Sequence, residues 1–509
     1  MKLNKGMRIK EEGAIIKKGF AGISIALGYP NSYYVGMSSL GYQSMYAIFN
    51  ADGRVVCERF FVEESSIMVP RTIESNRKIT DFNVIAFSIS YELDAVNILR
   101  ALKLAGLNIR AKERSRFDSI IIVGGSYVSI NPIPLMEFCD VLCIGDGEAL
   151  APIIIDVIVK SKSKDEALEH FSSFNGFLVP RYYKMNLSVK PLFVNNNSFS
   201  VLVSKILTKE TEFSNSYLIE IMRGCLWRCN FCWVGSFYKP CRIHNIEKIM
   251  KAISLLNKKP QKKVLPTIGL IAASSSDHPQ FISLVDNINK MGYKKVSFSS
   301  LRCSELNSSY TDIIKKNQIK SITLAPETAS KRLQSLINKK IDNKQLIDLC
   351  KNLANAGVKN LKLYFIIGLP QETAEDLLES VNLIKEINDV VKNRCHLNVS
   401  LNYWVPKPFT NFQYLPMFEQ EILVEKSKMI KKKLKSIKGL TYAIMKSETA
   451  YYEAILSLGG VESSILLEKI LESRSSWRTI VRENLLLYKG LLFDKKGVRS
   501  CVLNLDYVK

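Results

Sequence analysis

The sequence predicts an α/β protein: an N-terminal doubly wound parallel sheet, then a partial (β/α)6 barrel, then a helical C-terminal region. Three observations carry this. Short apolar runs alternate with amphipathic stretches over the first 195 residues; the alternation resumes from Tyr217 with a regular beat; and from about residue 418 the chain turns lysine-rich with helical spacing. Buried strands alternating with helices are the mark of a parallel sheet covered on both faces. A chain of 509 residues exceeds one ordinary domain. The expected boundaries are 1–195, 196–417 and 418–509.

In the first region Phe82 to Ile89 (FNVIAFSI) reads as a buried strand and Asp94 to Ala105 as the helix after it. Ser119 to Val123 is a second strand, ending at Gly124 and Gly125. Asp140 to Ile144 is a third, ending in Gly145-Asp146-Gly147-Glu148. Doubly wound sheets bind ligands beyond the carboxyl ends of their strands, so these endings mark a small-molecule site whose ligand they do not specify. Residues 175–215, polar and irregular around Asn195 to Asn197, read as a linker. The barrel strands are Tyr217 to Met222, Thr267 to Ala272, Lys295 to Ser299, Ser321 to Leu324, Asn360 to Ile366 and Leu397 to Tyr403. Helices fill the gaps, among them Asn245 to Leu256, Asp342 to Ala356 with Gly357 as its C-cap, and Thr373 to Ile387. A barrel of this kind carries its chemistry on the loops after the strands.

Composition narrows the class. With 47% hydrophobic and 23% charged residues the chain can form an ample core, which excludes wholesale disorder. No apolar run reaches the roughly 18 residues of a membrane span. The first twenty residues are charged throughout and lack the apolar centre of a secretory signal, so a cytoplasmic location is expected. A net charge of +23 invites a nucleic-acid partner. Against that, lysine excess with abundant Asn, Ile and Tyr fits AT-rich coding, and the one long basic block, Lys426 to Lys438, has the helical spacing of a solvated face. Nucleic-acid binding is the weaker reading. The 11 cysteines, an odd number without an export signal, do not suggest a disulfide framework. Cys57, Cys139, Cys143, Cys303, Cys350, Cys395 and Cys501 read as small core residues.

The exception is the group at 225–241. The stretch IEIMRGCLWRCNFCWVG puts Cys225, Cys229 and Cys232 in C-x3-C-x2-C spacing on the loop after the first barrel strand. Thiolates are the preferred ligands of iron–sulfur clusters, and three of them leave one iron of a [4Fe-4S] cube without a protein ligand. S-adenosylmethionine (SAM) can chelate that iron through its amino and carboxylate groups, and one electron then breaks its S–C5′ bond. The competing reading is a structural zinc site completed by Cys241 or His244. A strand-top position in a barrel, with Phe231 just before the third cysteine, argues against it.

Phe231 and the cysteine spacing resemble the signature of the radical SAM superfamily. GLIAASSSDHP (269–279), SFSSLR (297–302), LAPETASKRLQSLINK (324–339), LKLYFIIGLPQET (361–373) and WVPKPFTNFQ (404–413) resemble, in order, the branch that joins a cobalamin-binding-like domain to a radical SAM barrel. FSISYELDAVNILR (87–100), VGGSYVSINPIPL (123–135) and IGDGE (144–148) resemble its N-terminal domain. The likeness covers about residues 20–415. It implies that Glu327 contacts SAM near its ribose or amino group, and that Phe231, Arg302 and Lys362 line the SAM or substrate site. It also implies an electron donor of the flavodoxin or ferredoxin kind, and a domain that either grips cobalamin at Gly124, Gly125, Gly145 and Gly147 or keeps the fold without the cofactor. The Asp-x-His-x-x-Gly of many cobalamin domains is missing: the first βα loop reads NSYYVGMSSLGYQ (31–43), and the four histidines stand at 170, 244, 278 and 396. Any cobalamin therefore lacks a ligand from that motif. His278 and Tyr364 read as a helix-start residue and a barrel packing residue rather than relays.

Three functions are consistent with these residues: cobalamin-dependent methylation or rearrangement of an unactivated carbon; cobalamin-independent radical modification of RNA or protein; and a non-catalytic zinc-bound scaffold. The substrate is not encoded in any motif.

Overall fold

The computed structural model describes residues 10–17, 22–183, 189–195, 199–256, 265–298, 301–303 and 308–494. Asn196 and Asn197 of the expected linker, Ser299 and Ser300 of the SFSSLR stretch, and the apolar tail with Cys501 lie outside them. The described chain divides into two compact units: residues up to Tyr217 together with Gly459–Ile480, and Leu218–Leu458 together with the residues from Val481. This division differs from the three consecutive segments expected from the sequence.

In the first unit six strands form one sheet: β1 (Ile23–Tyr29), β2 (Val55–Phe61), β3 (Val84–Ser88), β4 (Ile120–Gly124), β5 (Val141–Cys143) and β6 (Phe177–Leu178). Their order is β2-β1-β3-β4-β5-β6, parallel throughout except for β6 against β5. The order reverses direction between β1 and β3, the switch point of a doubly wound sheet. Strands β3, β4 and β5 are the buried runs expected. Strand β1 (ISIALGY), apolar but for Ser24 and Gly28, is an addition to the expected strands, and so is β2, whose buried Glu58 and Arg59 keep it from reading as an apolar run. Residues 459–480 belong to this unit because helix Glu462–Glu472 packs on helix Ala95–Leu104. Arg110 pairs with Glu468 at 2.5 Å, and Asn131 Nδ2 donates to the Gly459 carbonyl at 2.8 Å.

The stretch read as a linker is largely docked. It supplies β6; Leu192 bridges Gly145; the Gly176 N–H donates to the Lys190 carbonyl at 2.7 Å; and Leu207–Thr208 pairs antiparallel with Glu11–Glu12. Its composition is polar, yet its backbone groups are satisfied by sheet edges, which composition does not register.

Asp94 lies beyond the switch point, its Oδ1 accepting from Asn31 Nδ2 at 2.8 Å. Burial pushes its carboxyl up to about 7. The folded state thus binds a proton that the unfolded chain has lost. Stability should fall as pH rises from about 4 to about 7 and level off above, each tenfold drop in proton concentration in that window costing at most about 1.4 kcal/mol. Asp94→Asn should flatten that slope in urea titrations run at each pH; a slope equal to the parent's would refute the assignment.

In the second unit the six expected strands are present: β7 (Ser216–Glu220), β8 (Thr267–Ile271), β9 (Val296–Phe298), β10 (Ser321–Glu327), β11 (Asn360–Ile367) and β12 (His396–Tyr403). Among the described residues they form a three-stranded sheet, β9-β8-β7, and a four-stranded parallel sheet, β10-β11-β12-β13. The added strand, β13 (Leu440–Ile444), falls in the region expected to be helical. Its residues alternate between half-buried and exposed, so it offers no apolar run. Strands β11 and β12 alternate strictly: Leu361, Leu363, Phe365 and Ile367 are buried, whereas Lys362, Tyr364 and Ile366 are half-buried on the other face, opposite Asn398, Ser400 and Asn402. Helix Ala374–Val391 starts at a capping box of Thr373 and Asp376. No described helix is long and apolar enough to cross a membrane.

Candidate active site

Strand β7 ends at Glu220, and a short hairpin, Met222–Arg223 against Arg242–Ile243, brackets the loop that carries Cys225, Cys229 and Cys232. Gly224 has φ +90, and a Cβ there would lie 2.7 Å from the Tyr238 carbonyl oxygen, so the entry to the loop requires glycine. The three cysteines are half-buried. The Cys232 N–H donates to the Cys229 carbonyl at 3.0 Å, and helix Trp233–Phe237 begins there.

The loop is tied down on several sides. The Asn230 N–H donates to Ile337 O at 3.0 Å and its Nδ2 to Leu336 O at 2.7 Å, while Asn338 Nδ2 donates to Arg228 O at 2.8 Å. From the other side the Phe412 N–H donates to Asn230 O at 3.1 Å, and Asn411 Nδ2 to Asn230 Oδ1 at 2.8 Å. Trp227 Nε1 donates to Asp277 Oδ2 at 2.8 Å, and the Arg302 guanidinium lies 3.5 Å above the indole ring. None of these ties is legible in the sequence. The LQSLINK and FTNFQ stretches carry a family likeness but no spacing that reveals their contacts.

Glu327, at the end of β10, is buried and has φ +66, an uncommon conformation for a side chain of this kind. The β10–β11 register shifts between Leu324 and Glu327, and the Thr328 N–H donates to Pro326 O at 2.8 Å. Strain of this sort persists where the surroundings enforce it, commonly at working sites. Here Lys339 Nζ meets Glu327 Oε1 at 2.8 Å, both side chains close to nine-tenths buried. Burial works against the Lys339 charge, but Glu327 outweighs it and the ammonium is held above its usual range. Burial raises the Cys229 thiol, while the Lys339 and Arg302 cations pull it back. Burial also raises Cys225, and Cys232 and Asp277 add to that. The three cysteines, Arg302 and Glu327 thus belong to one neighbourhood, and Lys339 joins them. Lys362 is directed instead to Tyr364, its Nζ 4.7 Å above the ring. Phe231 is half-buried beside Cys232.

Cys241 stands beside Cys225, whose charge, after burial, pushes its thiol up to about 11. His244 lies 3.5 Å from Glu220 Oε2, and its carbonyl faces His278 Nε2 at 2.9 Å. His278 also accepts from the Gln280 N–H at 3.2 Å, which shapes the start of helix Phe281–Lys290. Among the described residues no three His, Cys, Asp or Glu side chains stand converged for a metal.

The four N-terminal glycines answer to their own chain. A Cβ on Gly125 (φ +114) would lie 2.2 Å from Ile89 O, one on Gly145 (φ +125) 2.1 Å from Leu192 O, and one on Gly147 2.4 Å from Met45 Sδ. At Gly124 the nearest atom would be Cys143 Cβ at 3.3 Å. Tyr29, Tyr33, Tyr42 and Phe61 pack edge to face at the carboxyl ends of β1 and β2.

The family model for the radical SAM superfamily matches residues 219–384, and that for the N-terminal region of radical SAM proteins matches residues 41–180. The chain thus carries a radical SAM domain preceded by the N-terminal region found in radical SAM proteins. It is similar to an uncharacterized protein of Methanocaldococcus jannaschii, 27% identical over 93% of this chain and 97% of that one. A tRNA-2-methylthio-N(6)-dimethylallyladenosine synthase of Thermodesulfovibrio yellowstonii is 25% identical over 33% of this chain and 40% of its own length. Among solved structures, the radical SAM methyltransferase TsrM of Kitasatospora setae, with cobalamin and a [4Fe-4S] cluster bound, has a TM-score of 0.54 at 10% identity, covering 77% of this chain and 74% of that one. The cobalamin-dependent radical enzyme OxsB has a TM-score of 0.50 at 14% identity, covering 95% and 78%. At these identities the likeness is one of fold.

Proposed function

We propose that the protein cleaves SAM reductively at a [4Fe-4S] cluster held by Cys225, Cys229 and Cys232, and directs the resulting radical at a substrate carbon. The observation that carries this reading is the meeting of the three-thiol loop with Arg302 and the Lys339–Glu327 pair at the carboxyl ends of the barrel strands. The donor set fits the group: three soft thiols on a fixed loop, with two cations beside Cys229 to offset the charge of a thiolate-bound cluster. Once bound, the reduced cluster and SAM supply one-electron scission of the S–C5′ bond, giving methionine and a 5′-deoxyadenosyl radical.

The chain's own part is placement. Lys339 fixes the Glu327 carboxylate so that it can accept from the SAM amino group or ribose hydroxyls, and Arg302 supplies a cation for the SAM carboxylate. Phe231 shields the third thiol. Lys362, Asn398, Ser400 and Asn402 face the substrate from the polar side of β11 and β12. As in other radical SAM enzymes a reductant is required, here of the flavodoxin or ferredoxin kind.

Three of the four N-terminal glycines form no open cradle for cobalamin. Gly125, Gly145 and Gly147 are closed over by Ile89, Leu192 and Met45, so the chain itself occupies the room they suggest. No step is therefore routed through a corrin. Modification of RNA is a second reading, favoured by the net charge of +23 and by the tRNA-acting relative. Steeply salt-dependent retention on RNA would support it.

The test is anaerobic purification with cobalamin supplied, followed by SAM and dithionite. A brown protein without a corrin band that releases 5′-deoxyadenosine is expected. A corrin band would reverse the N-terminal assignment. A colourless protein, inert after reconstitution and holding zinc, would leave only the scaffold reading.

A further inference from the structure

We infer that Trp227 is a positioning residue for the cluster loop, gripped at its edge by Asp277 and on its face by Arg302, and that this grip sets SAM affinity. The inference rests on the radical SAM reading above. Trp227 lies between the first and second cysteines, where most side chains would project to solvent, as Leu226 does at 52% exposure. Its indole N–H reaches Asp277 at 2.8 Å and its ring carries the Arg302 guanidinium at 3.5 Å. The backbone on both sides is itself fixed. The Arg302 N–H donates to Ser276 Oγ at 2.9 Å, and the Tyr310 hydroxyl donates to Ser276 O at 3.0 Å, so the loops after β8 and β9 form one support. On the opposite side a Cβ on Gly235 would lie 2.4 Å from Trp227 O, which clamps the loop backbone against helix Trp233–Phe237.

The two demands select tryptophan. Phenylalanine offers a face without a donor, and histidine a donor with a smaller face. Asp277 and Arg302 would attract each other directly; the indole between them holds the guanidinium over its own face, beside Cys229. Arg302 therefore reaches the SAM site with its orientation already set, which saves the ordering cost of a long flexible cation.

The test uses reconstituted full-length protein and three readouts: iron and sulfide content, the change in the electron paramagnetic resonance spectrum of the reduced cluster on adding SAM, and the kinetics of SAM cleavage. Trp227→Leu should retain the cluster, show a weakened spectral response to SAM, and raise KM for SAM about tenfold, a change of about 1.4 kcal/mol, with kcat within about threefold. Trp227→Phe should fall between it and the parent. A Trp227→Leu protein with a full cluster and unchanged KM and spectral response overturns the inference. Should that variant fail to load, Arg302→Lys decides: it keeps the charge and loses the planar stack, and an unchanged KM overturns the inference equally. A parent protein with a full cluster that cleaves no SAM would instead remove the radical SAM reading, and the inference with it.

Discussion

Replacing Cys229 by alanine is expected to reduce SAM cleavage by more than about a hundredfold, since loss of even an outer partner of a metal ligand commonly costs 10- to 100-fold. The reconstituted variant should also lose most of its iron. Cys229 is the most informative of the three because two cations, Lys339 and Arg302, act on its thiol; its loss leaves both charges without their thiolate. Cys241→Ala is the matching control. Cys241 adjoins Cys225 across the hairpin but is not among the proposed ligands, so this variant should keep cluster and cleavage. Equal loss in both variants would point to a four-thiol site and to zinc.

Arg59→Met is expected to destabilise the first unit by about 3–5 kcal/mol, the usual cost of removing one partner from a buried ion pair. Arg59 is fully buried. Its Nη1 and Nη2 meet the two oxygens of Glu11 at 2.9 and 2.6 Å, its Nε meets Glu74 at 2.7 Å, and it lies 4.7 Å from the Tyr46 ring centroid. Burial already holds the Glu74 carboxyl above its usual range with Arg59 in place. Without the guanidinium both carboxylates would have to take up protons or return to water. The urea midpoint should fall, and protease should cut sooner near Glu11, whose pairing with Thr208 depends on that anchor. Adding Glu11→Gln and Glu74→Gln should recover part of the loss. Full stability in the single variant would show that the network contributes nothing.

Much of this architecture is legible from apolar runs because parallel strands are buried on both faces. The six barrel strands and β3 to β5 can be read to within a few residues. Strand β2 cannot, because Glu58 and Arg59 are buried through Thr72, Glu11 and Glu74, partners distant in sequence. Strand β13 escapes because its sides are only partly covered. At the site, the cysteine spacing is legible in the sequence, whereas Glu327 is singled out only by the family resemblance. Lys339, Trp227, Asp277 and Asn230 are not legible, since each matters through one contact made across the barrel rather than through a pattern along the chain. The glycines at 125, 145 and 147 read as room for a ligand, yet a glycine records only that something comes close, and here it is Ile89, Leu192 and Met45.

The return of residues 459–480 to the first unit bears on the order in which the protein is made. When Tyr217 leaves the ribosome, the face of helix Ala95–Leu104 that receives Glu462–Glu472 has no cover, and its cover is still some 240 residues from being translated. At typical synthesis rates that gap lasts on the order of tens of seconds. The second unit is thus translated while the first is incomplete, and a nascent chain arrested before Gly459 would present an apolar helix face to whatever attends the ribosome exit.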